Sequence, residues 1–203
     1  MNTKKKIAIL GSTGSIGKTL LKIIEKDKHN FEIVLLSANK NYQSLFKQAK
    51  KFKVKNLIIS DKKTLNNIKK NKIPQSINIY DSFNSINKIF KKKIDYVMSS
   101  IVGIDGLEPT LKIIKFTKKI AIANKESIIC GWNLIKKELK KNNTKFIPVD
   151  SEHFSIFSLL ENRNTNNIEK IYITASGGPF KNLPKNQFNR IKLKDALKHP
   201  NWR

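Results

Sequence analysis

The sequence predicts an α/β protein: a doubly wound parallel sheet followed by the beginning of an α+β region. Three observations predict it. Short apolar runs alternate with stretches of helical period from the first residues to Val149, a glycine-rich turn follows the first run directly, and the alternation breaks down after Val149. Strand, helix and strand at this spacing imply parallel pairing, because each helix carries the chain back to start the next strand in the same direction.

Taken in order, the first strand is Ile7–Leu10 and Ile16–Glu25 is the helix that returns from it. Phe31–Ser37 and Asn56–Ser60 are the next two strands, with helical patterns over Tyr42–Phe52 and Lys62–Asn71 following them. Ile77–Tyr80, Tyr96–Ser99, Ile120–Ala123 and Phe146–Val149 complete the strands; Ser82–Phe90, Leu107–Thr117 and Glu126–Lys140 lie between them as helices. Beyond Val149 a short helix is predicted over Ser155–Glu161, then a polar loop "NRNTNN", a strand in "EKIYITAS" and the punctuated loop "GGPFKNLPKNQF". This change places a boundary near residue 150, separating a nucleotide-binding domain, 1–149, from the first part of a catalytic region, 150–203.

A chain of 203 residues with 39% hydrophobic content can bury a real core. Its 41 basic residues against 15 acidic ones suggest an anionic partner, but lysines fall in every predicted helix and turn instead of one basic block with interleaved aromatics. That pattern argues against a nucleic-acid surface. Cys130, the sole cysteine, excludes an intramolecular disulfide and a cysteine metal cluster, and its apolar helical setting reads as an inert buried thiol. The basic start passes straight into a strand and no apolar run approaches a membrane span. The expectation is therefore a soluble, cytoplasmic chain with no membrane partner.

Gly11, Gly14 and Gly17 in "GSTGSIGKT" stand at a strand-to-helix turn, where small residues let a pyrophosphate approach the backbone N–H groups of a helix N-terminus. Thr13 and Ser15 add hydroxyl donors. The placement reads as a Rossmann-like dinucleotide turn, against a merely tight βα turn. The second strand ends in Asn39, Lys40 and Asn41 where NAD-preferring folds put an acid, so Lys40 favours a 2′-phosphate and NADPH; the alternative is a lysine in a solvated turn. Asn124, Lys125 and Glu126 follow a later strand at the carboxyl edge, as functional groups or as helix caps. "PVDSEH" occupies the same edge one unit on. If its backbone is extended, Asp150 and Glu152 project to one side, where like charges need a cation or proton between them. A divalent metal is one answer and an ordinary helix cap the other. His153 beside them is a partner of the acids or a surface residue.

Taken together, "GSTGSIG", "SSIVGIDGLEPTL", "IANKES", "PVDSEH", "ASGGPF" and "HPNW" resemble the 1-deoxy-D-xylulose 5-phosphate reductoisomerase family from Lys6 to Trp202. The resemblance implies NADPH and Mg²⁺ or Mn²⁺ as cofactors and a sugar phosphate as substrate. It implies that Thr13, Gly14, Ser15 and Ile16 contact the NADPH phosphates, Lys40 and Asn41 the 2′-phosphate end, and Asn124 and Glu126 the cofactor nearer its reacting end. Lys125, Ser151 and Glu152 would contact the sugar phosphate, Asp150 and Glu152 the metal, Ser176 the substrate phosphate, and His199 with Trp202 would lie on a closing flap. Asn39 departs from the glycine of many relatives. The family chain continues past "HPNW" with further phosphate ligands, a third acidic metal ligand and a dimer-forming region, so a homodimer is expected of the full-length enzyme. A fragment of such an enzyme and an NADP-binding module without turnover are both consistent with the residues.

Overall fold

The computed structural model describes residues 3–68, 76–161, 164–173 and 178–198. Seven strands form one parallel sheet: β1 Lys5–Leu10, β2 Phe31–Ala38, β3 Asn56–Ile59, β4 Asn78–Tyr80, β5 Ile94–Ser99, β6 Thr117–Ile122 and β7 Lys145–Pro148. Their order is β4-β3-β2-β1-β5-β6-β7, so the winding reverses between β1 and β5. Central strands read as unbroken apolar runs because both faces are covered; Ala8, Ile9 and Leu10 are wholly buried.

Two apolar layers flank the sheet. On one face Ile7, Ile9, Leu36 and Leu57 pack with Leu21 and Ile24 of α1 (Ser15–Lys26) and with Leu45 and Ala49 of α2 (Tyr42–Phe52). On that face too lies Ile68, just past α3 (Lys62–Asn67). On the other face Ala8, Leu10, Val97 and Ile120 pack with Ile86 of α4 (Ile86–Ile89), Ile113 of α5 (Leu107–Ile114) and Ile135 of α6 (Lys125–Lys141). The doubly wound parallel sheet predicted from the alternation is thus observed.

The helix predicted over Ser82–Phe90 is a 3₁₀ turn, Phe83–Ser85, running into the single turn of α4. The one predicted over Leu107–Thr117 stops at Ile114, because Thr117 already pairs with Ile94 in the sheet. In the last part the helix predicted from Ser155 begins instead at Ser151, as α7 (Ser151–Leu160). The chain divides into two compact units, Met1–Phe157 and Ser158–Arg203. In the second, described residues form 3₁₀ turns at Thr165–Asn167, Gly178–Phe180 and Lys185–Arg190 and the short α8 (Leu193–Ala196). Glu169–Ile173 make no strand: no neighbour pairs with them among the described residues, and Tyr172 is 81% exposed.

Candidate functional site

The reversal of strand order leaves a crevice at the carboxyl ends of β1 and β5, the position at which open α/β sheets bind ligands. A cleft of about 660 Å³ occupies it, floored by Gly11, Thr13 and Gly14 and walled by Ser37, Ser100 and Val102. Gly11 has φ +78, and a Cβ there would stand 2.8 Å from the Ser100 carbonyl oxygen, so glycine alone fits where the turn touches the end of β5.

Hydrogen bonds fix the turn from beneath. The Gly11 N–H donates to Ser37 Oγ at 3.0 Å and the Ser12 N–H to the Ser37 carbonyl at 2.9 Å. Ser12 Oγ donates to Gln48 Oε1 at 2.7 Å while Gln48 Nε2 donates back to the Ser12 carbonyl at 3.0 Å, tying the turn to α2. Ser100 Oγ donates to the Leu10 carbonyl at 2.7 Å across the switch point. Gly14 is the N-cap of α1 and supplies no side-chain cap, so the first N–H groups of this helix are offered to the cleft side without a competing oxygen. Thr13 is partly buried, and Gly14, Ser15 and Ile16 are exposed. These features fit a dinucleotide's pyrophosphate.

Lys40 and Asn41 follow β2 and are exposed; Asn41 caps α2, accepting from the Ser44 N–H at 3.1 Å. Asp61, the N-cap of α3, stands near Lys40. Hydrogen bonds from Thr64 hold its carboxyl below the usual range, against burial, and the charges of Lys40 and Lys63 add to them. Asn124 is 3% exposed and caps α6, accepting from the Ser127 N–H at 2.8 Å. Lys125 and Glu126 are exposed in the first turn of the same helix, and Cys130, expected to be buried, is exposed further along it.

β6 and β7 are paired through Ile122 and Pro148; two residues beyond these stand Asn124 and Asp150, so α6 and α7 start side by side. Asp150 is not extended toward Glu152 as the strand reading requires. It caps α7, its carbonyl accepting from the Phe154 N–H at 2.9 Å and its Oδ1 from the His153 N–H at 2.9 Å, with His153 Nδ1 2.7 Å away. Burial pushes the Asp150 carboxyl up, but the hydrogen bonds and charge of His153 outweigh it and leave the group below its ordinary value. Ser151 Oγ donates to Glu152 Oε2 at 2.9 Å. The two acids are hard oxygen donors suited to Mg²⁺ or Mn²⁺, yet they make only part of a site: no cluster of three metal-ligating side chains occurs among the described residues. Ser176, His199 and Trp202 lie outside the described residues.

Ser37, Ser60, Ser100, Val102 and Glu108 line the cleft without having been given a role from the sequence, although the last three lie within the stretch "SSIVGIDGLEPTL". The signal available for Ser100 and Val102 was the strand end "MSS" running into "IVGIDG", a small-residue loop placed opposite the glycine turn once the winding reverses after β4.

The family model described as 1-deoxy-D-xylulose 5-phosphate reductoisomerase matches residues 7–131, and that of its C-terminal domain matches residues 146–203. The chain is 63% identical over 200 residues to the reductoisomerase of Pelagibacter ubique, covering 98% of this chain and 52% of that protein. To that of Clostridium novyi it is 42% identical over 208 residues, with 98% and 52% covered. The chain spans about half the length of the curated relatives it matches. Among solved structures it is similar to the Zymomonas mobilis enzyme in complex with NADPH, with TM-score 0.78 and 31% identity over 98% of this chain and 52% of that one. A DOX-P reductoisomerase in complex with NADPH, fosmidomycin and magnesium gives TM-score 0.71 and 29% identity, with 98% and 52% covered. No helix among the described residues is long and apolar enough to cross a membrane.

Proposed function

Because the chain belongs to the 1-deoxy-D-xylulose 5-phosphate reductoisomerase family, we propose that residues 1–149 bind NADPH and that residues 150–203 begin the part that binds metal and sugar phosphate. When bound, NADPH supplies the hydride and the divalent cation the Lewis acidity for converting 1-deoxy-D-xylulose 5-phosphate to 2-C-methyl-D-erythritol 4-phosphate in non-mevalonate isoprenoid biosynthesis.

The observation that carries the reading is the cleft at the switch point, floored by Gly11 and Gly14 and opening on the N-terminus of α1. The backbone from Thr13 to Ile16 would hold the pyrophosphate, and Lys40 with Asn41 the 2′-phosphate end. Asn124 and Glu126 serve the reacting end of the cofactor. Lys125, Ser151 and Glu152 would bind the sugar phosphate; Asp150 and Glu152 would hold Mg²⁺ or Mn²⁺. Ser176 and His199 are assigned to the substrate phosphate and the flap by the family's pattern alone. The whole enzyme works as a homodimer in this reading. Support for it comes from the shared carboxyl edge of β1, β5, β6 and β7, which gathers the starts of α1, α6 and α7.

Titration of NADPH and NADH fluorescence tests the cofactor assignment. NADPH should bind about tenfold or more tightly, the scale of one charge-assisted contact, and Lys40→Glu should abolish or reverse the preference. Equal affinities in the unaltered chain would remove Lys40 from the site. Binding without substrate- and metal-dependent NADPH oxidation by the full-length enzyme would favour the alternative, a binding module without turnover.

A further inference from the structure

We propose that the groove between α4, α5 and α6 is a second ligand site, one that takes a small amphiphilic anion: an apolar ring or short chain carrying a phosphate or carboxylate group. It lies outside the nucleotide cleft and does not depend on the reading of that cleft. Leu134, Lys137, Glu138 and Lys141 follow the i, i+3, i+4, i+7 spacing, so they share one face of α6, beside the row of Ser127, Gly131, Ile135 and Leu139 that the helix buries. Leu111 and Lys112 of α5, with Lys115 at its C-cap, form the facing side, and Phe83 and Ile86 join from the 3₁₀ turn and α4. Together they line about 530 Å³, the size of a small-ligand pocket.

The floor is apolar. Ile86 is 1% exposed and Phe83 and Leu111 are half-buried, but Leu134 keeps 55% of its surface exposed, on a helix face that otherwise carries charge. The rim is basic, with four lysines against Glu138. Lys112 is already committed to Glu108 and to Asn84 Oδ1, and Lys115 Nζ stands 4.9 Å from the centre of the Phe116 ring. Glu138 accepts from Asn142 Nδ2 at 3.1 Å. Lys137 and Lys141 have neither a hydrogen bond nor an ion pair among the described residues, and like charges four residues apart on a helix repel. An anion held by both relieves that repulsion while its apolar part covers Leu134. Charge also decides against a second copy of this chain as the occupant, since it carries the same +26. Phe83 lines both this groove and the nucleotide cleft; the two are otherwise lined by different residues.

Hexyl phosphate is the probe, with hexanol and inorganic phosphate as its two halves, and amide NMR shifts report where each binds. Hexyl phosphate should bind at least about tenfold more tightly than either half, with shifts centred on residues 83–87, 111–115 and 134–141, and saturating NADPH should not displace it. Lys137→Gln combined with Lys141→Gln should weaken it about tenfold by removing the charge, and Leu134→Ser should weaken it through the apolar part. All three positions are exposed, so neither variant should move the thermal midpoint. Equal binding of hexyl phosphate and inorganic phosphate, or an affinity unchanged in the double variant, would show only the diffuse attraction of a basic chain for anions and would overturn the proposal. Displacement by NADPH, with shifts centred on the Gly11–Gly14 turn, would return the ligand to the nucleotide cleft and overturn it too. A chain that binds hexyl phosphate in the groove but no NADPH would remove the nucleotide reading and leave this site standing.

Discussion

Asp95 ties three strands together at the foot of the sheet. From β5 its carboxylate accepts from the Lys6 N–H of β1 at 2.9 Å and from Lys118 Nζ of β6 at 2.8 Å. The Lys118 hydrogen bond, then that of Lys6, hold the carboxyl below its ordinary value against a smaller effect of burial. A carboxyl with a depressed folded-state pKa stabilises the fold at pH above its unfolded value, about 3.9, and loses that contribution as pH falls through the folded value. Asp95→Asn should therefore lower the urea midpoint at pH 7, and the gap to the parent should narrow below about pH 4 as the parent's carboxyl protonates. A gap of constant size across that range would show that charge at this position contributes nothing.

The start of α1 shows two glycines of different kinds. A Cβ on Gly17 would stand 2.6 Å from the Gly11 carbonyl oxygen and from Ser12 Cα, so the helix can approach the turn only with glycine there. At Gly14 the nearest atom would be 3.4 Å away, an ordinary contact, with φ −75 open to any residue. Gly17→Ala should cost about 1–3 kcal/mol of stability by overpacking. Gly14→Ala should leave the thermal midpoint nearly unchanged and weaken NADPH, because its methyl group occupies ligand space. Chemical denaturation together with NADPH titration separates them; equal loss of stability in both variants would contradict the distinction.

Elements with a self-contained signal were legible in the sequence. Tyr42–Phe52 is helical over the predicted span, because Asn41 caps it and its apolar residues keep one face. The glycine turn was legible because strand, turn and helix follow without a gap. What depends on a partner was not. Asp150 reads as one of two carboxylates on an extended strand until its oxygen is seen capping α7, which moves the helix start to Ser151. "EKIYITAS" has strand-forming residues but, over Glu169–Ile173, no neighbour to pair with among the described residues. Gly131 leaves helical geometry in mid-α6 at φ −123, ψ 15, where the Leu107 side chain of α5 packs against it; no pattern within α6 reports that.

At the scale of the molecule, the formal net charge of +26 raises the local concentration of any anion, and the fold decides which anion is held. That decision lies at the switch point, where the strand order turns from β1 to β5 and brings the glycine turn, the Ser100–Gly106 loop and the N-terminus of α1 to one cleft. The sequence contains both loops, but nothing local in it says that they face each other; only the strand order does. The most direct test is a crystal structure of the chain grown with NADPH. The pyrophosphate should lie within hydrogen-bond reach of the Thr13–Ile16 backbone, with the 2′-phosphate near Lys40 and the loop from Ile101 to Gly106 against the bound cofactor. A nucleotide bound elsewhere, or an empty cleft at saturating NADPH, would contradict it.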